Sequence, residues 1–132
     1  MATTATITLS SDMLSDTLSF SSTATLTKHG GSTDIEETSG LSRKKTGNTT
    51  EYTLFDASLY SDDHAHKVYL KNTSTNAPQY FEVQIGEYVV GKLYASDWAF
   101  IPWSADTTGT NCNITITPSA ADMVLEYMLF IG

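Results

Sequence analysis

Apolar and polar positions alternate along most of this chain. Leu18, Phe20, Ala24 and Leu26 fall on one side of an extended segment and Ser19, Ser21, Thr23 and Thr25 on the other, a period of two rather than 3.6. Ile7 and Leu9 repeat the arrangement earlier. Val68 and Leu70 alternate with Lys67, Tyr69 and Lys71; Phe81, Val83 and Ile85 with Tyr80, Glu82 and Gln84; Cys112, Ile114 and Ile116 with Asn113, Thr115 and Thr117. Such segments predict half-buried antiparallel strands. Between them, Asn72 to Pro78 and Asp106 to Asn111 are dense in turn-forming residues. The expected fold is therefore all-β: a single antiparallel β-sandwich, with a jelly roll as one way of winding it.

Two segments admit another reading. Ser10 to Leu18 can form a helical turn or two, with Leu14 and Leu18 four apart. Ser119 and Asp122 resemble a capping box before the apolar run MVLEYMLFI, so a buried helix is the alternative there. A strand is favoured, because the run is short and rich in Val, Tyr, Phe and Ile. As a strand it sets Met123, Leu125, Tyr127, Leu129 and Ile131 on one side and Val124, Met128 and Phe130 on the other, with only Glu126 polar between them. Both sides then call for cover, from the N-terminal segment or from another subunit, and the C-terminus is expected to be tied down.

Composition divides the chain. Of fourteen aromatic residues only Phe20 lies in the first fifty, where 22 positions are Ser or Thr. Residues 1–50 are expected to be an extended segment adding strands to the same or a neighbouring subunit, and 51–132 the compact core of one domain. Gly30-Gly31 and Gly40 read as turns. A net charge of −8 opposes nucleic-acid binding, which depends on Lys and Arg, and no apolar run reaches the roughly 20 residues of a membrane-spanning helix. The first residues lack a secretory signal and Cys112 is the single cysteine, so folding in a reducing cytosol is expected and the sequons at Asn48, Asn72 and Asn113 read as by-products of Thr abundance.

Candidate chemistry is sparse. Asp62-Asp63-His64-Ala65-His66 is the one metal-like cluster, and His64 and His66 would share a side of a strand, but further ligands at usual spacing are missing. No metal or cofactor is expected. Arg43-Lys44-Lys45, the sole basic run, reads as a solvated turn or a subunit contact. The sequence carries no nucleophile elbow and no phosphate loop, and Glu82 and Glu126, two strand carboxylates, are the only pair that resembles glycosidase chemistry. A non-enzymatic protein is the expectation. Trp98, Phe100 and Trp103 in LYASDWAFIPW, with Met128 and Phe130, are expected to anchor the core or a protein contact; a sugar platform on Trp98 or Trp103 is the competing use.

The stretches HKVYLKNTSTNAPQYFEVQIG, VGKLYASDWAFIPWSA and ITITPSAADMVLEYMLF, together with ATITLSSDMLSDTLSF and GLSRKKTG, resemble small virion structural proteins of tailed bacteriophages, especially those infecting marine cyanobacteria. The resemblance implies a particle component assembled in the bacterial host cytoplasm, on the exterior of the virion. Its partners would be the major capsid protein and copies of itself in an oligomer or symmetric array. Capsid decoration or cement is the leading role it implies; a tail or fibre component, with host glycan as a ligand, is the alternative.

Overall fold

The computed structural model describes residues 3–12, 18–27, 37–61, 64–106 and 111–132. Among them are eleven strands: β1 (Thr3–Ser11), β2 (Leu18–Leu26), β3 (Glu37–Thr38), β4 (Ser42–Thr46), β5 (Tyr52–Phe55), β6 (His66–Asn72), β7 (Tyr80–Ile85), β8 (Tyr88–Tyr94), β9 (Trp98–Trp103), β10 (Ile114–Pro118) and β11 (Met123–Ile131), with one 3-10 turn at Ala57–Leu59. Every pairing is antiparallel. The segment after Pro118 is the favoured strand: residues 119–122 form a turn with Asp122 at φ 60°, and β11 follows. Ser10 and Ser11 belong to β1, while residues 13–17, Gly30 and Gly31 lie outside the described residues.

From β4 onward the pairing is nested. β7 pairs with β8, β6 with β9, β5 with β10 and β4 with β11, as in one long hairpin folded over on itself. The contacts β10–β7 and β11–β6 roll that ribbon into two sheets, ordered β5-β10-β7-β8 and β4-β11-β6-β9, with β3 beside the end of β11. This is jelly-roll winding. Rolling is what buries the inner face of the central strands: a flat hairpin of this length would leave all its apolar side chains in water.

The core lies between the sheets. Val68 and Leu70 of β6, Phe81 of β7, Ile114 and Ile116 of β10, and Leu125 and Leu129 of β11 are all fully buried, each contributing about 1.5–3 kcal/mol by leaving water. An aromatic group closes one end, where the Trp103 ring lies 5.9 Å from Phe55, 5.5 Å from Tyr60 and 5.8 Å from His66. At the other end Asn72, also fully buried, ties β6 to the opposite sheet by donating from Nδ2 to the Leu93 carbonyl at 2.9 Å.

β1 and β2 form a ribbon of their own, paired through nine positions from Thr3↔Leu26 to Ser11↔Leu18 and with no strand of either sheet. Residues 37–46, by contrast, add β3 and β4 to the sheet of their own chain.

Candidate functional site

Parity along β6, β9 and β11 decides which aromatic residues reach the surface. On β9, Ala99, Ile101 and Trp103 point inward, and Trp103 is 3% exposed with its indole N–H donating to the Cys112 carbonyl at 2.8 Å. That partner lets a residue with a polar atom sit in the core. Trp98, Phe100 and Pro102 therefore point outward, opposite Lys71, Tyr69 and Lys67 of β6. Lys71, Tyr69 and Lys67 in turn face Glu126, Met128 and Phe130 of β11, and Glu126 faces Arg43 of β4.

The outer face of this sheet is thus aromatic and cationic. Trp98 is 52% exposed; Tyr69, Phe100, Met128 and Phe130 are half-buried, and the Phe100 and Phe130 rings meet edge to face at 5.9 Å. Of the seven Lys and Arg residues in a chain of net charge −8, Arg43, Lys45, Lys67 and Lys71 stand here. Glu126 is the one carboxylate on β4, β6, β9 and β11, and both its oxygens are engaged. Oε2 accepts from Arg43 Nε at 3.2 Å and from its terminal nitrogen at 3.1 Å, and Oε1 accepts from the Tyr69 hydroxyl at 3.1 Å. Partial burial, then the hydrogen bond and charge of Glu126, raise the Tyr69 phenol above its ordinary value near 10. The phenol stays neutral, and the face keeps a positive balance.

Four of the five expected anchors, Trp98, Phe100, Met128 and Phe130, meet on this face, while Trp103 is a core residue. The cationic rim and the Tyr69–Glu126–Arg43 bridge were missed by sequence reasoning. Their signal was available in the shared parity of Lys67, Tyr69 and Lys71, but it needs the register of β6 against β11 and β4 to become a surface.

The remaining candidates separate. Glu82 points outward from the opposite sheet, within reach of the Gln84 side chain at 3.3 Å, so the body of the sandwich lies between it and Glu126. His66 is 1% exposed, its Nε2–H donating to the Ser61 carbonyl at 2.9 Å and its Nδ1 accepting from the Gly132 N–H at 3.3 Å. His64 stacks on it and binds the Gly132 carbonyl through Nδ1, so the pair clasps the end of β11. Asp62 and Asp63 lie outside the described residues, among which no group of three or more His, Cys, Asp or Glu is placed to hold a metal. Arg43-Lys44-Lys45 is strand β4 rather than a turn, with the Lys44 ammonium 5.1 Å over the Tyr52 ring. No described helix is long and apolar enough to cross a membrane.

No family model matches the chain, and neither a curated protein nor a solved structure matches it.

Proposed function

We propose that this chain is a non-enzymatic structural component of a tailed-phage virion, a capsid decoration or cement protein that docks on shell subunits through the outer face of β4-β11-β6-β9. The observation that carries the reading is that face: aromatic and thioether side chains at its centre, a cationic rim of Arg43, Lys45, Lys67 and Lys71, and two carboxylates already paired, Glu126 with Arg43 and Tyr69 and Asp122 with Lys45 at 3.7 Å. Aromatic residues and Met are what stable contacts bury at their centre. The rim suits a partner surface edged with carboxylates, and in an acidic chain it also sets the orientation of approach. Jelly rolls serve in viral capsid proteins and in lectins, which supports the class by analogy only. The charge of −8 disfavours contact with packaged DNA, which supports an exterior position on the particle.

Four strands about 4.8 Å apart and about 23 Å long present a flat footprint near 450 Å², roughly half the 800 Å² per partner of a standard interface. Attachment therefore draws on surrounding loops or on several copies bound together. Mass spectrometry of purified virions tests the assignment, and co-sedimentation with particles lacking the chain tests the face. Wild-type protein is expected to bind saturably in a fixed ratio to the capsid protein, with Phe100→Asp at least about tenfold weaker. Absence of the chain from virions refutes the role.

The exposure of Trp98 favours one second reading, a tail component that stacks a host glycan on that ring. A saccharide that shifts Trp98 emission and competes with binding to host cells would select it.

A further inference from the structure

The β1–β2 ribbon has two unlike faces. Thr4, Thr6, Thr8 and Ser10 share one with Ser19, Ser21, Thr23 and Thr25, and hydroxyl pairs close it: Thr6 to Thr23 at 2.7 Å and Thr8 to Ser21 at 3.3 Å. The other face carries Ile7, Leu9, Leu18 and Phe20, 40%, 46%, 46% and 46% exposed. A lone two-stranded ribbon is marginal in water, and this one leaves four larger apolar side chains wet, while Leu26 at its base is 5% exposed.

We propose that a second copy of this chain covers that face, the two ribbons packing face to face about a twofold axis through Ile7 and Ser22. The arrangement of side-chain sizes argues for it. Ile7↔Ser22 is the central pair; two positions toward the loop lie Leu9 and Phe20, and two positions toward the base lie Ala5 and Ala24. A twofold across the strands sets Leu9 over the partner's Ala5 and Phe20 over the partner's Ala24, so large meets small at these two inner contacts; at the ends Leu18 falls over the partner's Leu26, which its own chain already covers to 5% exposure. A twofold along the strands would set large on large at one end and leave a void at the other.

Charge permits the approach. Neither Thr3–Ser11 nor Leu18–Leu26 contains a charged residue, so the ribbons meet without like-charge repulsion although each chain carries −8. The area is sufficient for a reversible contact. Four side chains of roughly 200 Å² each, about half exposed, together with their small neighbours, offer about 500 Å² per copy; the pair buries about 1,000 Å², the lower bound of a specific interface.

The test is sedimentation velocity of the full chain from about 1 to 100 µM, where a contact of this size dissociates. A monomer–dimer equilibrium is expected. Phe20→Asp should weaken it at least tenfold, whereas Thr23→Asp, on the hydroxyl face, should leave it within about twofold. Leu9→Ala should weaken it, and adding Ala5→Leu should restore it, because Leu at position 5 then faces Ala at position 9 of the partner. Trp103 emission reports that the sandwich stays folded, since the ribbon lies outside the core cluster. A chain that is monomeric throughout, a trimer, or a dimer that survives Phe20→Asp overturns the proposal. So does a double variant no better than Leu9→Ala alone.

Discussion

Replacing Asn72 should damage the fold far more than its place in a Thr-rich loop sequence suggests. The side chain is fully buried, Nδ2 donates to the carbonyls of Leu93 at 2.9 Å and Gln79 at 3.3 Å, and Oδ1 accepts from the Ser74 N–H at 2.9 Å. Each bond contributes about 1 kcal/mol net, and buried partners left without one cost somewhat more. Asn72→Ala should therefore cost about 3 kcal/mol. With a urea m-value near 2 kcal/mol/M for a domain of this size, the unfolding midpoint should fall by about 1.5 M. Asn72→Asp should be worse at neutral pH, since it turns a carboxylate toward the two carbonyls, and should recover toward the Ala variant as acid protonates it. Urea titrations followed by far-UV circular dichroism measure all three chains. A midpoint shift below about 0.5 M for Asn72→Ala, or an Asp variant more stable than the Ala variant at pH 7, would refute the assignment of Asn72 as the tie between the sheets.

Other substitutions probe single features. Thr115 Oγ1 is buried and has no hydrogen-bond partner, so Thr115→Val should raise stability by about 1 kcal/mol and the melting temperature by about 4 °C; a lower melting temperature would show that the hydroxyl is satisfied. Gly86 sits at φ +62° and a Cβ there would run into the Asn111 carbonyl, so Gly86→Ala should cost about 2 kcal/mol or more in a urea titration. The raised Tyr69 phenol stabilises the fold fully below pH 10, the ordinary value; above it the unfolded chain releases the proton first and stability declines toward the folded-state value. Tyr69→Phe should flatten that alkaline decline, and melting curves between pH 9 and 11 that superimpose on wild type would contradict it.

The architecture was legible wherever one face of a strand is polar. Val68 and Leu70 against Lys67, Tyr69 and Lys71 give both the strand and its buried side, and the same holds for Phe81 and Val83. On β9 both faces are apolar, so the sequence pattern does not tell which of Trp98 and Trp103 is inside. That choice is made by a distant contact, the Cys112 carbonyl that receives the Trp103 N–H. The nested strand order, the clasp of His64 and His66 on Gly132, and the Arg43–Glu126–Tyr69 bridge all join residues far apart in sequence. Local pattern carries no such information. Asn72 was the least legible residue, because a buried amide that links two sheets has the same letter as an exposed turn Asn.

If the aromatic and cationic face is the surface that meets a partner, hydroxyl-radical footprinting of the free and particle-bound chain reads it residue by residue. Oxidation of Trp98 and Met128 should fall severalfold on binding, while Tyr88 and Tyr94, 75% and 44% exposed on the other sheet, react as before. Unchanged oxidation of Trp98 and Met128 in the bound state, with protection appearing at Tyr88 and Tyr94 instead, would contradict it.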